Sequence, residues 1–445
     1  MTTTPSRRRK ALRRSGTTGL AVALLLALAP AAGAAAPAAQ PAPRWATVTA
    51  SAATPSVHDD EAGGQADADD PAIWTSPTAP EQSVVLGALK NGGLDVHALD
   101  GSLLQHLDAP PAPEGAEEAG RYNNVDVVQG ARIGARVLDL AVVSDRGRDR
   151  LRVFAIDPRG AAAGDAVLRE VTDPAAGPVF SADEAEVDEQ RTAYGLAAGL
   201  RADGSAQVLT TRRHTAEFAV LDLVAGPGGT VGYRERTRAA LPTEFAVPGG
   251  TWTPCEEPGE EPQAEGSVFD AATGDWYVAQ EDVGIWRVSG DTGSRWLLDR
   301  VRDFGVPATW DEASQTCRAD GRDPGVGGTR LTADAEGLAI ARDGHRRWLF
   351  ASSQGDSTFA VYALGGPGPA GRYAGGFTVA DSAEGIDGVQ HSDGSAVTTA
   401  ALGPLFPHGL FVTHDGESTR PGDEDRVSTG FRLVPLERIT APLGL

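Results

Sequence analysis

The tripeptide Ala-Glu-Gly opens an apolar run at three places in the chain: Ala264-Glu265-Gly266, Ala335-Glu336-Gly337 and Ala383-Glu384-Gly385. The first two lead into the same series of a turn, an aromatic strand and a further strand, in GSVFDAATGDWYVAQEDVGIWRV and GLAIARDGHRRWLFASSQGDSTFAVYAL. Three looser openings precede them: Asp70-Pro71-Ala72-Ile73-Trp74, Asn124-Val125-Asp126-Val127 and Tyr194-Gly195-Leu196. The six recur at intervals of roughly 50–70 residues, the length of one four-stranded blade. Short β-type runs separated by turn signals fill the intervals, and no long amphipathic helix interrupts them. The expected fold is all-β, a six-bladed β-propeller of four-stranded antiparallel blades; a pair of β-sandwiches with accidental Ala-Glu-Gly matches is the alternative. In a propeller the innermost strands all start beside the central axis. A carboxylate at that point in successive blades makes a ring of oxygens at one mouth of the channel, and the following glycine lets neighbouring backbones approach.

Charge narrows the functional classes. The 445 residues carry 39 basic and 61 acidic side chains, so nucleic acid is not an expected partner. The single long apolar stretch lies near the N-terminus, Gly19 to Ala29, behind Arg7, Arg8, Arg9, Lys10, Arg13 and Arg14 and ahead of the small residues Ala32 to Ala36. That order reads as a signal peptide over residues 1–36, with a membrane anchor as the alternative. Its removal leaves 33 basic against 61 acidic residues, a formal charge of about −28, on a secreted chain. Residues 37–66, rich in Ala, Pro, Asp and Gly, read as a flexible leader, and 67–445 as the propeller. Two cysteines in an exported chain, Cys255 and Cys317, favour one disulfide over two free thiols. No G-x-S-x-G elbow, Walker loop or H-E-x-x-H helix is present, and neither cysteine starts a C-x5-R loop, because Glu261 and Asp323 occupy the arginine positions.

An ordered set of motifs carries a resemblance. DADDPAIW at Asp67 to Trp74 and NNVDV at Asn123 to Val127 are followed by QAEG with YVAQEDVGIW, DAEGLAI with ASSQG, and EGID with GLFVTHDGE. In this order they resemble the β-propeller phytases, the calcium-dependent alkaline phytase family, from about Asp67 to Ile439. The resemblance implies a six-bladed propeller of the 3-phytase type that releases phosphate from myo-inositol hexakisphosphate (phytate). The chain departs from the family at Asn91, where a second lysine is frequent, at Glu384, usually Asp, and at His414, usually Gln. The acidic insertions around Cys255 and Cys317 lie outside the compact family pattern.

A strongly acidic protein that takes up a polyanion needs divalent cations to invert the local charge. Asp69, Asp70, Glu265, Glu281, Asp334, Glu336, Gln354, Glu384 and Asp387 supply oxygen ligands that suit several Ca²⁺ ions, whereas the eight histidines show no zinc-ligand spacing. By resemblance, Asp70 and the carbonyl of Val125 hold a structural Ca²⁺ between the first two blades. Glu265, Glu281, Asp334, Glu336 and Gln354 line the catalytic cluster, with Asp69 reaching it from the first blade. Lys90, the one lysine left after signal removal, matches the family's phosphate-binding lysine. Arg146 in SDRG, Tyr194, and Arg212 or Arg213 in TTRRH resemble the other phosphate contacts. A second phosphate is expected near Asp415 and Glu417 through Ca²⁺. The reading is direct, Ca-assisted attack of water, with Lys90, Arg146, Tyr194, Arg213, Glu265 and Glu336 as the catalytic set. It expects a monomer acting on phytate as its calcium complex, with neither nucleic acid nor membrane as partner. A non-catalytic calcium-stabilised binding module, or a metal-dependent lactonase, is the alternative.

Overall fold

The computed structural model describes residues 44–60, 62–157, 166–365, 371–419 and 427–445. The expected signal peptide, 1–36, lies outside them. Six sheets follow one another along the chain, with the expected antiparallel order in each. Blade 1 is Pro71–Trp74, Val84–Ala88, Leu94–Ala98 and Leu103–Leu107, and blade 2 is Tyr122–Ile133, Arg136–Asp145, Arg150–Ile156 and Leu168–Glu170. Blade 3 is Ala193–Leu200, Ala206–Arg212, Glu217–Ala225 and Val231–Ala240, and blade 4 is Ala264–Asp270, Asp275–Gln280, Gly284–Val288 and Arg295–Arg300. Blade 5 is Ala335–Asp343, Arg346–Ser353, Thr358–Leu364 and Arg372–Ala380. Blade 6 takes Ser395–Thr398, Leu410–Ser418 and Ser428–Pro435 from the C-terminal part of the chain. The first strands of the blades touch in cyclic order, blade 6 returning to blade 1, so they line a common axis.

Second strands are the most deeply covered. Val84–Ala88 and Asp275–Gln280 are buried at every position, because each blade face packs on the next blade. They therefore read as continuous apolar runs with no alternation. The outermost Leu103–Leu107 is half open to solvent.

The N-terminal segment corrects the expected boundary at residue 67. Arg44–Thr49 pairs in parallel with Arg372–Ala380 as a fifth strand of blade 5. Ala52–Ala53 and Val57–His58 pair antiparallel with Ser428–Pro435 and supply the outer edge of blade 6. Strands from both ends of the chain thus close the ring, and Arg44–His58 is ordered sheet rather than leader. The alternation in Arg44–Thr49 explains it: Ala46 and Val48 are buried while Trp45 stands 55% exposed.

A β-bulge recurs where the first strands of blades 2–5 begin, with register shifts at Tyr122/Val125, Ala193/Leu196, Ala264/Ser267 and Ala335/Leu338. Each bulge leaves two residues unpaired: Asn123-Asn124, Tyr194-Gly195, Glu265-Gly266 and Glu336-Gly337. An extra residue bends the strand and re-aims its side chain. The glycines then stand against the next blade, and a Cβ on Gly266 would lie 2.5 Å from the Glu336 carbonyl oxygen.

The sixth opening is not where the tripeptide pattern put it. Ala383-Glu384-Gly385 forms a turn, closed by the Gly385 amide donating to the Ser382 carbonyl at 3.1 Å. Asp393-Gly394-Ser395 leads into the first strand of blade 6 instead, and a Cβ on Gly394 would run into Asp70.

Two inserted hairpins, Phe245–Val247 with Gly250–Trp252 and Ala308–Asp311 with Thr316–Ala319, lie in the connections before blades 4 and 5. The Cys255–Cys317 disulfide ties these connections together across 62 residues of chain.

Two outcomes follow. Deleting residues 44–60 exposes the edge of Ser428–Pro435; the truncated chain is expected to melt at lower temperature and to self-associate, read by thermal melts and size-exclusion chromatography. Replacing both cysteines with serine should cost up to about 4 kcal/mol by loop-closure entropy, read as a lower urea midpoint with the blade spectrum retained.

Candidate active site

The bulged side chains and their neighbours meet at one mouth of the channel. Ligand oxygens of Glu265, Glu281 and Glu336 lie within 4.8 Å of one another. Glu281 is the first residue after the second strand of blade 4; its Oε2 accepts from Gln263 Nε2 at 2.9 Å, and its carbonyl accepts from the Ala335 amide at 2.9 Å. Asn123 donates through Nδ2 to Glu265 and accepts through Oδ1 from Arg146 Nη1 at 2.7 Å. The Arg146 guanidinium lies 5.8 Å from the centre of the Tyr194 ring. Gln354 donates to Asp393, which supplies the carboxylate expected of Glu384.

Lys90, between the second and third strands of blade 1, lies near enough for its charge to act on Glu265. Its backbone adopts φ +46°, a left-handed conformation uncommon outside glycine, and hydrogen bonds at 3.0 Å in both directions with Tyr122 hold it there. The ammonium, 14% exposed, pairs with Asp67. Burial alone lowers its pKa, but Asp69 and Asp67 outweigh burial and hold it above the usual value.

The carboxylates are held against their preference. Burial pushes Asp69 up to about 8, and Glu265 and Asp393 to about 7. Burial, then the charges of neighbouring carboxylates, raises Glu281 and Glu336 well above the normal range. Asp334 is raised by burial and acts electrostatically on Glu281. Asp69 Oδ2, Glu281 Oε1 and Glu336 Oε2 are closed to solvent and accept no hydrogen bond. Orphaned carboxylate oxygens this close suit a hard cation, which alone satisfies several at once.

Asp70 and Val125 also meet, the Val125 amide donating to Asp70 Oδ2 at 3.1 Å; both line an axial cavity of about 200 Å³. Burial, then Asp69, raises Asp70 well above its normal range.

Other expected residues lie elsewhere. Arg212 pairs with Glu217 at 2.8 Å and donates Nε to the Arg191 carbonyl at 2.8 Å; its neighbour Arg213 is the one whose charge acts on Arg146. Glu384 is exposed in its turn. Asp415 is fully buried beneath Arg432, 2.5 Å away, and the Arg432 Nε donates to the Asp387 carbonyl at 3.0 Å. Asp387 Oδ2 accepts from the Thr419 amide at 2.8 Å, and Glu417 lies 3.5 Å from His391. Asp415 and Glu417, on the second strand of blade 6, and Asp387, in the connection before that blade, therefore gather around Arg432 and His391.

Asn123, Asp393 and Asp67 went unassigned in the sequence reading. Asp393 was detectable: Asp393-Gly394-Ser395 repeats the acid-Gly-Ser order of Glu265-Gly266-Ser267. Asp67 and Asn123 had no signal of their own, because their roles are contacts with residues distant in sequence: Lys90 for Asp67, and Arg146 and Glu265 for Asn123.

The chain is similar to known proteins over most of its length. The family model described as Phytase matches residues 16–219 and 259–444. A curated relative, the 3-phytase of Bacillus subtilis (strain 168), is 32% identical over 396 residues, 87% of this chain and 84% of that protein. Among solved structures, BBS1N in complex with ARL6DN, soaked with lead, has a TM-score of 0.40 at 11% identity, covering 82% of this chain and 78% of its own. U3-55K has a TM-score of 0.39 at 11% identity, covering 87% of this chain and 99% of its own. With a matching family model over most of its length and a relative of this identity, the chain belongs to the phytase family.

Proposed function

We propose that the protein is an exported, calcium-dependent enzyme that releases phosphate from phytate by direct attack of water on phosphorus, acting as a monomer on the calcium complex of its substrate. The observation that carries this is the adjacency of two opposed groups. Glu265, Glu281 and Glu336 converge, with orphaned oxygens on Glu281 and Glu336, and the charges of Lys90 and Arg146 act on Glu265. Among the described residues no carboxylate lies within ion-pairing distance of Arg146. Export rests on the basic, apolar and small-residue order of the first 36 positions.

The chain's own residues divide the work. Glu265, Glu281 and Glu336, with Asp69, Asp334 and Gln354 around them, would hold calcium; Asp70 beside Val125 would hold a second, structural ion. Bound there, calcium supplies the positive charge that admits a polyanion and makes water easier to deprotonate. Arg146, steadied by Asn123 and the Tyr194 ring, offers N–H donors to phosphoryl oxygens, and Arg213 adds charge from blade 3. Lys90, fixed by its backbone bonds to Tyr122, presents an ammonium where charge builds on the transferring group. Both cations lie on backbone held to a neighbouring segment, so little reorganisation accompanies substrate arrival.

Phosphate release from phytate, measured with calcium and with a calcium-selective chelator, tests the proposal. Release only with calcium is expected; equal release in chelator would overturn the calcium dependence, and no release in either would overturn the activity.

The carboxylates make a second outcome. Without cations the native state keeps protons on Asp69, Glu265 and Asp393 that the unfolded chain has already lost above about pH 4–5. The unfolded state therefore gains relative stability as pH rises toward 7–8, by about 1.4 kcal/mol per unit for each proton difference. Thermal melts in chelator should fall between pH 5 and 8, and saturating calcium should reverse the fall.

Lys90→Ala should lower kcat for phytate about 10²- to 10³-fold, the loss of one donor to developing charge, with calcium-dependent melting kept. Lys90→Arg should restore part of the rate, because a planar fork replaces a compact ammonium. Near-normal turnover by folded Lys90→Ala would remove Lys90 from the site.

A further inference from the structure

Arg121 belongs to no group described so far, yet it stands at the same mouth. It precedes Tyr122, the residue whose backbone holds Lys90. Its carbonyl accepts from the Arg146 amide at 2.8 Å, and its own amide donates to Asp145 Oδ1 at 3.0 Å. Backbone bonds therefore fix the two arginines side by side. The Arg121 side chain is 16% exposed, and its guanidinium meets Asp60 through Nη1 at 2.7 Å and Nη2 at 3.4 Å. Asp60 comes from the N-terminal segment that closes blade 6, and its side chain is only 4% exposed.

The other edge of the guanidinium is unsatisfied. The Nε–H of Arg121 is closed to solvent without a hydrogen-bond partner, and so is the Nε–H of Arg146. Two buried cationic donors, one without a carboxylate, are an arrangement that costs free energy until an anion arrives. Burial and then the charge of Arg121 lower the pKa of Arg146, with Arg213 adding to the repulsion. A phosphoryl group carries the charge and oxygen spacing that such a pair lacks.

We propose that Arg121 is a further substrate-binding residue, which grips a phosphate of the polyphosphorylated substrate together with Arg146 while Asp60 holds its guanidinium from the opposite edge. The competing reading is that Arg121 and Asp60 form an ion pair that only fastens the N-terminal segment.

Binding of myo-inositol hexakissulfate, a sulfate analogue with no hydrolysable phosphate, separates the two when measured by calorimetry on the calcium-loaded protein. Arg121→Gln is expected to weaken binding about tenfold, the loss of one charge-assisted pair, and to raise KM for phytate in step while kcat stays within about twofold. Asp60→Asn keeps the cation and is expected to bind within about threefold of the parent protein. Arg121→Lys keeps a charge for Asp60 but has no second edge, and is expected to weaken binding severalfold even if Arg121→Gln fails to fold. Parent-like binding by folded Arg121→Gln or by Arg121→Lys, or an equal loss in Asp60→Asn and Arg121→Gln, would overturn the proposal. Failure of the parent protein to bind the hexakissulfate would overturn the whole phosphate site, whereas binding without phytate turnover would leave Arg121 in place and overturn only the catalytic reading.

Discussion

Repulsion among carboxylates that the fold crowds together at its axis is the constraint from which the rest of this structure follows. Glu265 and Glu336 are the bulged residues of adjacent blades, and Glu281 completes the group from the end of a second strand. Each bulge turns a side chain inward, and each following glycine lets the next blade's backbone come close enough to bring the next carboxylate in. The same backbone device places Asn123 and Tyr194 in the blades before them. A polar ring of this kind is unstable by itself, since burial raises every carboxyl in it and leaves oxygens without donors. A large apolar framework holds it, built from second strands covered on both faces.

The cations are fixed by a different device. Lys90 and Arg121 are joined through Tyr122, Arg146 through the Arg121 carbonyl, and each first finds a partner inside the protein: Asp67 for Lys90, Asp60 for Arg121, Asn123 for Arg146. Asp67 and Asp60 both lie in or beside the segment that closes the ring. The closure strands and these three cations are thus parts of one arrangement. Charge of opposite sign arrives at the mouth from successive blades, which is why an acidic chain can present a cationic patch at a single place.

The sequence was legible where local pattern and spatial role coincide. The openings at Asp70, Asn124, Tyr194, Ala264 and Ala335 each mark the start of a first strand, and in blades 3–5 the glycine of the opening lies within the bulge itself. The sixth failed for a physical reason. Ala383-Glu384-Gly385 copies the letters of the pattern, but the residues after it turn back on Ser382, while Asp393-Gly394-Ser395 stands before Ser395–Thr398. Arg44–Thr49 was misread as leader because Ala- and Pro-rich neighbours masked a six-residue alternation. Its partner lies more than three hundred residues away.

Composition and repeat by themselves determined the all-β class, the blade number and the net negative charge, because these depend on short-range periodicity and on counting charges. Tertiary structure alone decided which of the many carboxylates come together. It separated Arg213 from Arg212, put Asp393 in place of Glu384, and set Asp387 and Asp415 beside Arg432. Those outcomes depend on which blades become neighbours and which face of a strand a bulge selects. Distance across the axis is a property of the closed ring, and no run of adjacent residues carries it.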